Sequence, residues 1–595
     1  MLRFPTLRSI LRPAGAVLLC GALGAPGLAQ GFNNQWLSYT NQTQTRLNVA
    51  PGLGATDPQE KDYAWGDLDE DGWVDLVVVR KQPVSTPGKY PNVLLMNEGG
   101  VLTDRTQDFA RDSDVPDDTG FLVPTNDRDV VMTDVNLDGW LDVVTATTYS
   151  NGSPKHISHP RVYINKGNSP QGNWLGLRFE NGRIPQFTTS GGTPTTPDFC
   201  GISAGDVDLD GAPDLYFTHY TGGSQGGADI NDKLLMNDGN GFFTDESNLR
   251  VNSSMLNSSF GTSNYTVDLN MDGLNDVIKS ENGVGDGVFS NPSQVGFLDT
   301  FDNIQGGSPY HVGVGDLNND GRPDSVWSDD GLDRYRYNTG TDQFGRPIWG
   351  ANKTFQFLAG GDDGFASNSL VTDLDNDGWK DVLIADVDVD IGGCSRRLHI
   401  YHNPGGAPGD QITLREEREQ AGGNGWLGAV GLHQNDLTGT HDIAVFDIDN
   451  DGDKDLVIGR CAGTAVWMND ATPTCQADLG FGGPGNSRLQ ICGDVLDTSG
   501  VATIYLSNVP ETATVLMGLS LTSNPTFING LGGTIVPWVP DVLFTVTSTY
   551  LGDWESGPIQ GGSGPASVYV QAVILDPAQL FGFGISNAVR MDVMP

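Results

Sequence analysis

Asp67-Leu68-Asp69-Glu70-Asp71-Gly72-Trp73-Val74-Asp75 puts carboxylates at positions 1, 3, 5 and 9, with glycine at position 6. Alternate acidic side chains on a turn converge on one point, and the glycine permits the sharp bend. A focus of hard oxygen ligands is what calcium selects. The pattern recurs six times. The equivalent ligand sets are Asp134, Asn136, Asp138 and Asp142; Asp206, Asp208, Asp210 and Asp214; Asp268, Asn270, Asp272 and Asp276; Asp316, Asn318, Asp320 and Asp324; Asp373, Asp375, Asp377 and Asp381; and Asp447, Asp449, Asp451 and Asp455. Positions 1, 5 and 9 are always Asp, position 6 is always Gly, and position 2 is always aliphatic. A solvated acidic surface does not repeat itself in this way, so the sequence predicts about seven calcium sites, mainly structural.

The loops are not EF-hands. An EF-hand needs Glu at position 12 and helices on both sides. Position 12 here is Val78, Thr145, Phe217, Lys279, Trp327, Ile384 or Ile458. Short apolar runs follow position 9, such as Leu76–Val79 and Val382–Ile384, and these read as buried strands.

The loop starts lie 48 to 74 residues apart, a period that suggests a propeller or solenoid. A second repeat follows each loop: a strand ending in Asn, usually before Gly or Pro. Asn97, Asn165, Asn237, Asn291, Asn338, Asn403 and Asn469 hold this place. Asn-x-Gly is hairpin chemistry. Each unit therefore reads as strand A, calcium loop, strand B, strand C, hairpin, strand D, which is one propeller blade. The seventh unit has no fourth strand after Asn469. Trp36–Thr43 resembles the fourth strand of the first unit, so the N-terminal segment is expected to complete the seventh blade and remove its edge.

The motif and its strand context resemble the FG-GAP/VCBS repeats of the integrin α-subunit propeller and of secreted bacterial proteins, over residues 32–470. The resemblance implies calcium loops on one face and ligand contacts on the other, with a position-7 backbone carbonyl, such as that of Trp73, joining the Asp and Asn ligands. Integrin propellers carry such loops in only a few blades. Here every unit has one, which argues against a purely regulatory role for the ion.

Three segments follow. Residues 1–29 combine Arg3, Arg8 and Arg12 with the apolar run 14–23 and small residues before the cleavage position, the pattern of a secretory signal peptide. Residues 30–470 form the seven-bladed propeller. Residues 471–595 contain no Lys or His, alternate apolar and polar residues, and read as a small C-terminal β-sandwich. The fold class is all-β. The formal charge of -42 makes the chain a poor partner for nucleic acid or an anionic membrane, and no later stretch is apolar enough for membrane insertion. A secreted or extracellular location is expected, at the cell surface or in the periplasm if retained.

Of the cysteines after residue 29, Cys394 and Cys461 occupy equivalent connections of adjacent blades and suit a disulfide. Cys475 and Cys492 share the C-terminal segment and can also pair. Cys200 is left over as a buried thiol.

No catalytic signature stands in a suitable context. Asp386, Asp388 and Asp390 imitate a loop start but lack the glycine, and read as a solvated turn. The favoured reading is a non-enzymatic adhesion or ligand-binding module for an extracellular protein or polysaccharide. The alternative is a carbohydrate-active enzyme such as a calcium-dependent polysaccharide lyase, since related calcium propellers occur among such enzymes. The long connections carry Tyr149, His156, His159, His219, Tyr220 and Trp349. These are candidate ligand contacts on the face opposite the calcium loops.

Overall fold

A computed structural model describes residues 36–593, apart from 50–56, 82–87, 151, 190–191, 221–229, 257–260, 282–283, 308, 330, 359–367, 376–378, 386–393, 406–408, 418–426, 452, 470–475 and short stretches between 480 and 581. The leader, Asp377, Cys475 and the turn at Asp386–Asp390 lie outside the described residues. The chain is nearly all strand. Its helices among the described residues are single turns, and none is long and apolar enough to cross a membrane.

Seven sheets, antiparallel apart from a two-residue outer strand in sheets 1 and 2, each begin just before an acidic loop and continue just after it. In sheet 1, strand A is Glu60–Gly66, B is Asp75–Lys81, C is Val93–Asn97 and D is Leu102–Asp104. Strand A of each sheet touches strand A of the next, and the cycle closes from Thr440–Phe446 in sheet 7 back to Glu60–Gly66. This is a β-propeller. Apolar side chains fill each gap between neighbouring sheets. Between sheets 7 and 1, for example, Phe446, Ile448, Val457 and Val466 pack on Tyr63, Leu76, Val78 and Leu95. That packing explains why the B strands read as unbroken apolar runs: each has a sheet on both faces.

The fourth strand of sheet 7 comes from the N-terminal segment. Tyr39–Asn41 pairs antiparallel with Gly463–Asn469, with Tyr39 opposite Asn469 and Asn41 opposite Trp467. Among the described residues, sheet 6 has three regular strands, and a bridge between His402 and Arg415 extends it. In sheet 4 the residue ending strand C is Ser290, not Asn291 as the sequence suggests; Ser290 N–H donates to the position-9 carboxylate of Asp276 at 2.8 Å. A hydroxyl here replaces the amide, and the register moves by one residue.

Beyond the ring, two further antiparallel sheets share one apolar cluster. Leu489, Ile491, Ile504 and Leu506 from one meet Val515, Met517, Val570 and Ile574 from the other. Cys394 and Cys461 form a disulfide. Cys492 is also disulfide-bonded, and Cys200 is a buried thiol.

Candidate metal centre

The loops share one hydrogen-bond scheme. In loop 1, Asp67 accepts from the N–H groups of Asp71 (3.1 Å) and Gly72 (2.9 Å), and Asp71 accepts from Trp73 (2.9 Å). Asp75, at position 9, accepts from Leu68 (3.0 Å) with one oxygen and from Asn97 (2.8 Å) with the other. The position-9 carboxylate thus ties the loop start to the end of strand C. Loops 2 to 5 repeat this with Asp142, Asp214, Asp276 and Asp324, and Asp381 and Asp455 do so in loops 6 and 7.

Four loops bring three carboxylates within metal-ligand distance of one another: Asp67, Asp69 and Asp71; Asp206, Asp208 and Asp210; Asp373, Asp375 and Asp381; Asp447, Asp449 and Asp455. These are the copies with Asp at position 3. In three of them the Oδ1 of that residue, Asp69, Asp208 or Asp449, is buried and accepts no hydrogen bond. A buried carboxylate oxygen facing other carboxylates is costly unless a cation shares it. Burial, the largest cause, together with neighbouring carboxylates, pushes Asp67 and Asp69 up to about 6, Asp214 to about 7, Asp142 and Asp455 to about 8 and Asp324 to about 9. A divalent cation at the focus would favour the ionised forms, and the donor set is all hard oxygen. The residues present fit calcium.

The loops are not equivalent. Arg46 reaches Asp449 at 2.8 Å and Arg250 reaches Asp208 at 3.5 Å. Among the described residues, no cationic side chain pairs with loop 1. Loop 7 adds a fifth carboxylate, Asp453 at position 7. It is 2% exposed, its Oδ1 has no hydrogen-bond partner, and burial with the other four loop-7 carboxylates raises it to about 10.

Two features carried signals that the sequence reading gave another meaning or none. The strand-C asparagines do more than shape hairpins. Asn165 Nδ2 donates to Leu68 O (2.7 Å), Asn237 to Val135 O (2.8 Å), Asn338 to Leu269 O (2.7 Å) and Asn403 to Leu317 O (2.8 Å). Each acceptor is position 2 of the preceding sheet's loop, so each of these four sheets is stapled to the loop before it. Position 4 also adopts a left-handed backbone, with φ of 57° at Glu70, 58° at Leu137 and Leu209, and 64° at Met271.

The C–D turns lie against the loops of the preceding sheets. Gly100 approaches Asp449, Gly296 approaches Asp208 and Gly345 approaches Asn270. Trp349 belongs here. The hairpin of Asn338–Thr341 and Pro347–Trp349 inserts in the C–D turn of sheet 5, and Asn270 Nδ2 donates to Gly345 O at 2.8 Å. Trp349 is therefore on the acidic-loop face, not the opposite one, because residues 340–349 extend a C–D turn instead of a D–A connection. Four of the other candidates are buried: Tyr149, His159, His219 and Tyr220. Tyr149 packs edge-on to Tyr220 at 5.8 Å, His159 stacks on Phe187 at 5.4 Å, and His219 Nε2 accepts from Asp198 N–H at 3.2 Å. Burial lowers His159 to about 3. His156 is half-buried. The structure does not gather these six into one exposed surface.

The FG-GAP-like repeat pattern matches residues 134–217 and 316–384, which span loops 2, 3, 5 and 6. The chain carries FG-GAP-like repeats. No curated protein matches it. Among solved structures, the chain is similar to the extracellular domain of a putative hybrid two-component system from B. thetaiotaomicron (9% identity, TM-score 0.35), covering 94% of this chain but only 59% of that one. It is also similar to rhamnogalacturonan lyase YesW (14% identity, 73% of this chain and 75% of that one, TM-score 0.32). A third is the Dos1 propeller (10% identity, 77% and 94%, TM-score 0.32). At TM-scores this low, none of the three bears on what this chain binds or does.

Proposed function

We propose that this chain is a secreted, calcium-stabilised propeller that acts as a non-enzymatic adhesion or binding module, and that it engages an extracellular protein through the face bearing the calcium loops. One observation carries the choice of face. Large apolar side chains stand exposed along it over sheets 2 to 5: Leu137, Leu209 (56% exposed) and Met271 on the loop tips, and Phe242, Phe344 (63% exposed) and Ile348 on the adjoining C–D turns. Exposed apolar groups gathered on one face mark interaction sites. Aliphatic tips suit a protein surface better than a sugar, which is held by planar rings and polar groups. The opposite-face candidates are mostly packed inside. The leader-like residues 1–29 and the Cys394–Cys461 disulfide support an oxidising, exported setting.

The test is capture of extracellular protein fractions on immobilised protein with calcium, run beside a glycan array and an acidic-polysaccharide cleavage assay. Leu209→Lys with Phe344→Lys should abolish protein capture and leave calcium-dependent melting unchanged. Cleavage of a polysaccharide would sink the non-enzymatic reading, and capture that survives the double change would sink the choice of face.

A further inference from the structure

The larger of the two C-terminal sheets ends on an open strand. Val542–Thr547 pairs with Thr514–Ser520 on one side, from Leu519 opposite Val542 to Thr514 opposite Thr547. No strand among the described residues pairs with its other side. Native sheets blunt such an edge with a charge, a proline, a bulge or a covering loop. This strand reads Val-Leu-Phe-Thr-Val-Thr, without charge or proline, and it pairs without a bulge. Val542, Leu543 and Phe544 are exposed, Leu543 to 55%. An uncharged apolar edge left open is a template for another strand.

The register tells which backbone groups are offered. Just beyond the strand, Ser548 N–H donates to Ala513 O at 3.0 Å. Inward and outward backbone groups alternate along an antiparallel pair. Val546, Phe544 and Val542 therefore bond inward, and Thr547, Thr545 and Leu543 direct N–H and C=O outward. Side chains alternate too. Phe544 and Val546 stand opposite Met517 and Val515, which are buried in the apolar cluster between the two sheets. Phe544 thus belongs to the core face, yet it is 37% exposed, because the core stops at this edge.

We propose that Val542–Thr547 pairs antiparallel with the same strand of a second copy of this chain, across a two-fold axis at Thr545. Leu543 then lies opposite Thr547 of the other copy, and Thr545 opposite Thr545. The outward set is its own complement, and it is used up in about six backbone hydrogen bonds. Phe544 comes to lie opposite Val546 of the other copy, so the apolar face runs on from one sandwich into the next. Charge favours a copy over a foreign partner. The chain carries a formal charge of -42, so most contacts between two copies are repulsive. From Thr512 to Gly552 the sole charged residue is Asp541, and its carboxylate accepts from Ser520 Oγ at 2.7 Å and Leu521 N–H at 3.0 Å. Two acidic copies meet with least repulsion here, and a basic partner finds little to hold it.

The experiment is sedimentation of the full chain in Ca²⁺ over a range of concentrations. The mass should rise from one chain to two between about 1 and 100 µM, the range of a small interface. Thr545→Pro removes an outward N–H alone. It should hold the chain monomeric throughout and keep its calcium-dependent melting. Leu543→Lys should weaken the dimer about tenfold, and adding Thr547→Glu should restore it, since the register sets each new ammonium against the new carboxylate of the other copy. A parent that stays monomeric would overturn the proposal, and capture of a foreign protein that Thr545→Pro abolishes would give the edge to that partner instead. A dimer that survives both Thr545→Pro and Leu543→Lys would overturn the choice of edge. Weakening by Leu543→Lys without rescue would overturn the two-fold register.

Discussion

The side-chain amide of Asn97 donates to the backbone carbonyl of Ile448 at 2.9 Å, although the two residues are 351 positions apart. Asn97 ends strand C of sheet 1, and Ile448 is position 2 of loop 7. The same bond to position 2 of the preceding loop is made by Asn165, Asn237, Asn338 and Asn403. Asn97 is buried, and its Oδ1 also accepts from Gly100 N–H at 2.8 Å. Asn97→Ala should leave both backbone groups unsatisfied and cost about 2 kcal/mol. The check is denaturant melting in calcium, with Asn237→Ala as the same bond inside the ring. A cost below experimental error at both sites would show that the staples add nothing.

Ring closure makes a second expectation. Without residues 30–45, strand Gly463–Asn469 loses Tyr39–Asn41 and presents an open edge. An uncovered edge strand invites pairing with another chain. The truncated protein should form larger species than the parent in light scattering. If it keeps the parent's size and melting temperature, the N-terminal strand is dispensable.

The ring was legible because its signals are local and repeated. Nine-residue loops mark the repeat period, and Trp36–Thr43 resembles Val101–Thr106 by pattern alone. Faces were harder. Trp349 was assigned to the wrong one because strand C of sheet 5 is short, Arg334–Arg336, and a hairpin within a turn reads like the next element. Tyr149, His159, His219 and Tyr220 sit on connections, where exposure is the usual expectation. Their burial depends on contacts distant in sequence, such as Tyr149 N–H to Asp198, 49 residues away.

Acid should stabilise the ring's interior. Asp129 and Asp442 lie on inner strands, and burial, foremost, pushes both up to about 7, with Asp129 adding to the effect on Asp442. Their unfolded values are about 4. The folded chain therefore holds protons that the unfolded chain releases. That stability is complete below pH 4 and is lost as pH rises through 7. His159, His311 and His441, whose pKa values burial lowers, act in the opposite sense between pH 8 and 6, so the expected outcome is a difference between two proteins. At saturating Ca²⁺, lowering pH from 8 to 6 should stabilise the parent relative to Asp442→Asn by about 1 kcal/mol. No difference between the two proteins, or one of the opposite sign, would refute the assignment.

Calcium should dominate stability elsewhere. Loop 1 has four ligand carboxylates and no cationic neighbour among the described residues, so its self-repulsion is relieved by the ion alone. Excess Ca²⁺ and chelator should differ by many degrees in melting. Asp71→Ala should abolish one step of calcium binding. Asp75→Asn should also damage the fold, because Asp75 holds both Leu68 and Asn97 N–H groups. Equal melting in the two conditions would remove calcium from the account.

The last expectation concerns position 4. Loops 5 and 7 put Asn319 and Asn450 there, at φ of 52° and 60°, and asparagine tolerates this left-handed region. Loops 2, 3 and 4 put Leu137, Leu209 and Met271 in the same conformation, exposed. A branched or long apolar side chain gains nothing there by packing and costs about 1 kcal/mol in backbone strain. Local preference is overridden on three adjacent sheets, the same ones that carry Phe242 and lead to Phe344. Such a conflict is expected at a functional surface. Leu209→Asn should therefore stabilise the protein by about 0.5–1 kcal/mol and weaken capture of its protein partner. Paired melting and capture assays decide it. Stabilisation with undiminished capture would leave the apolar tips without a role in binding.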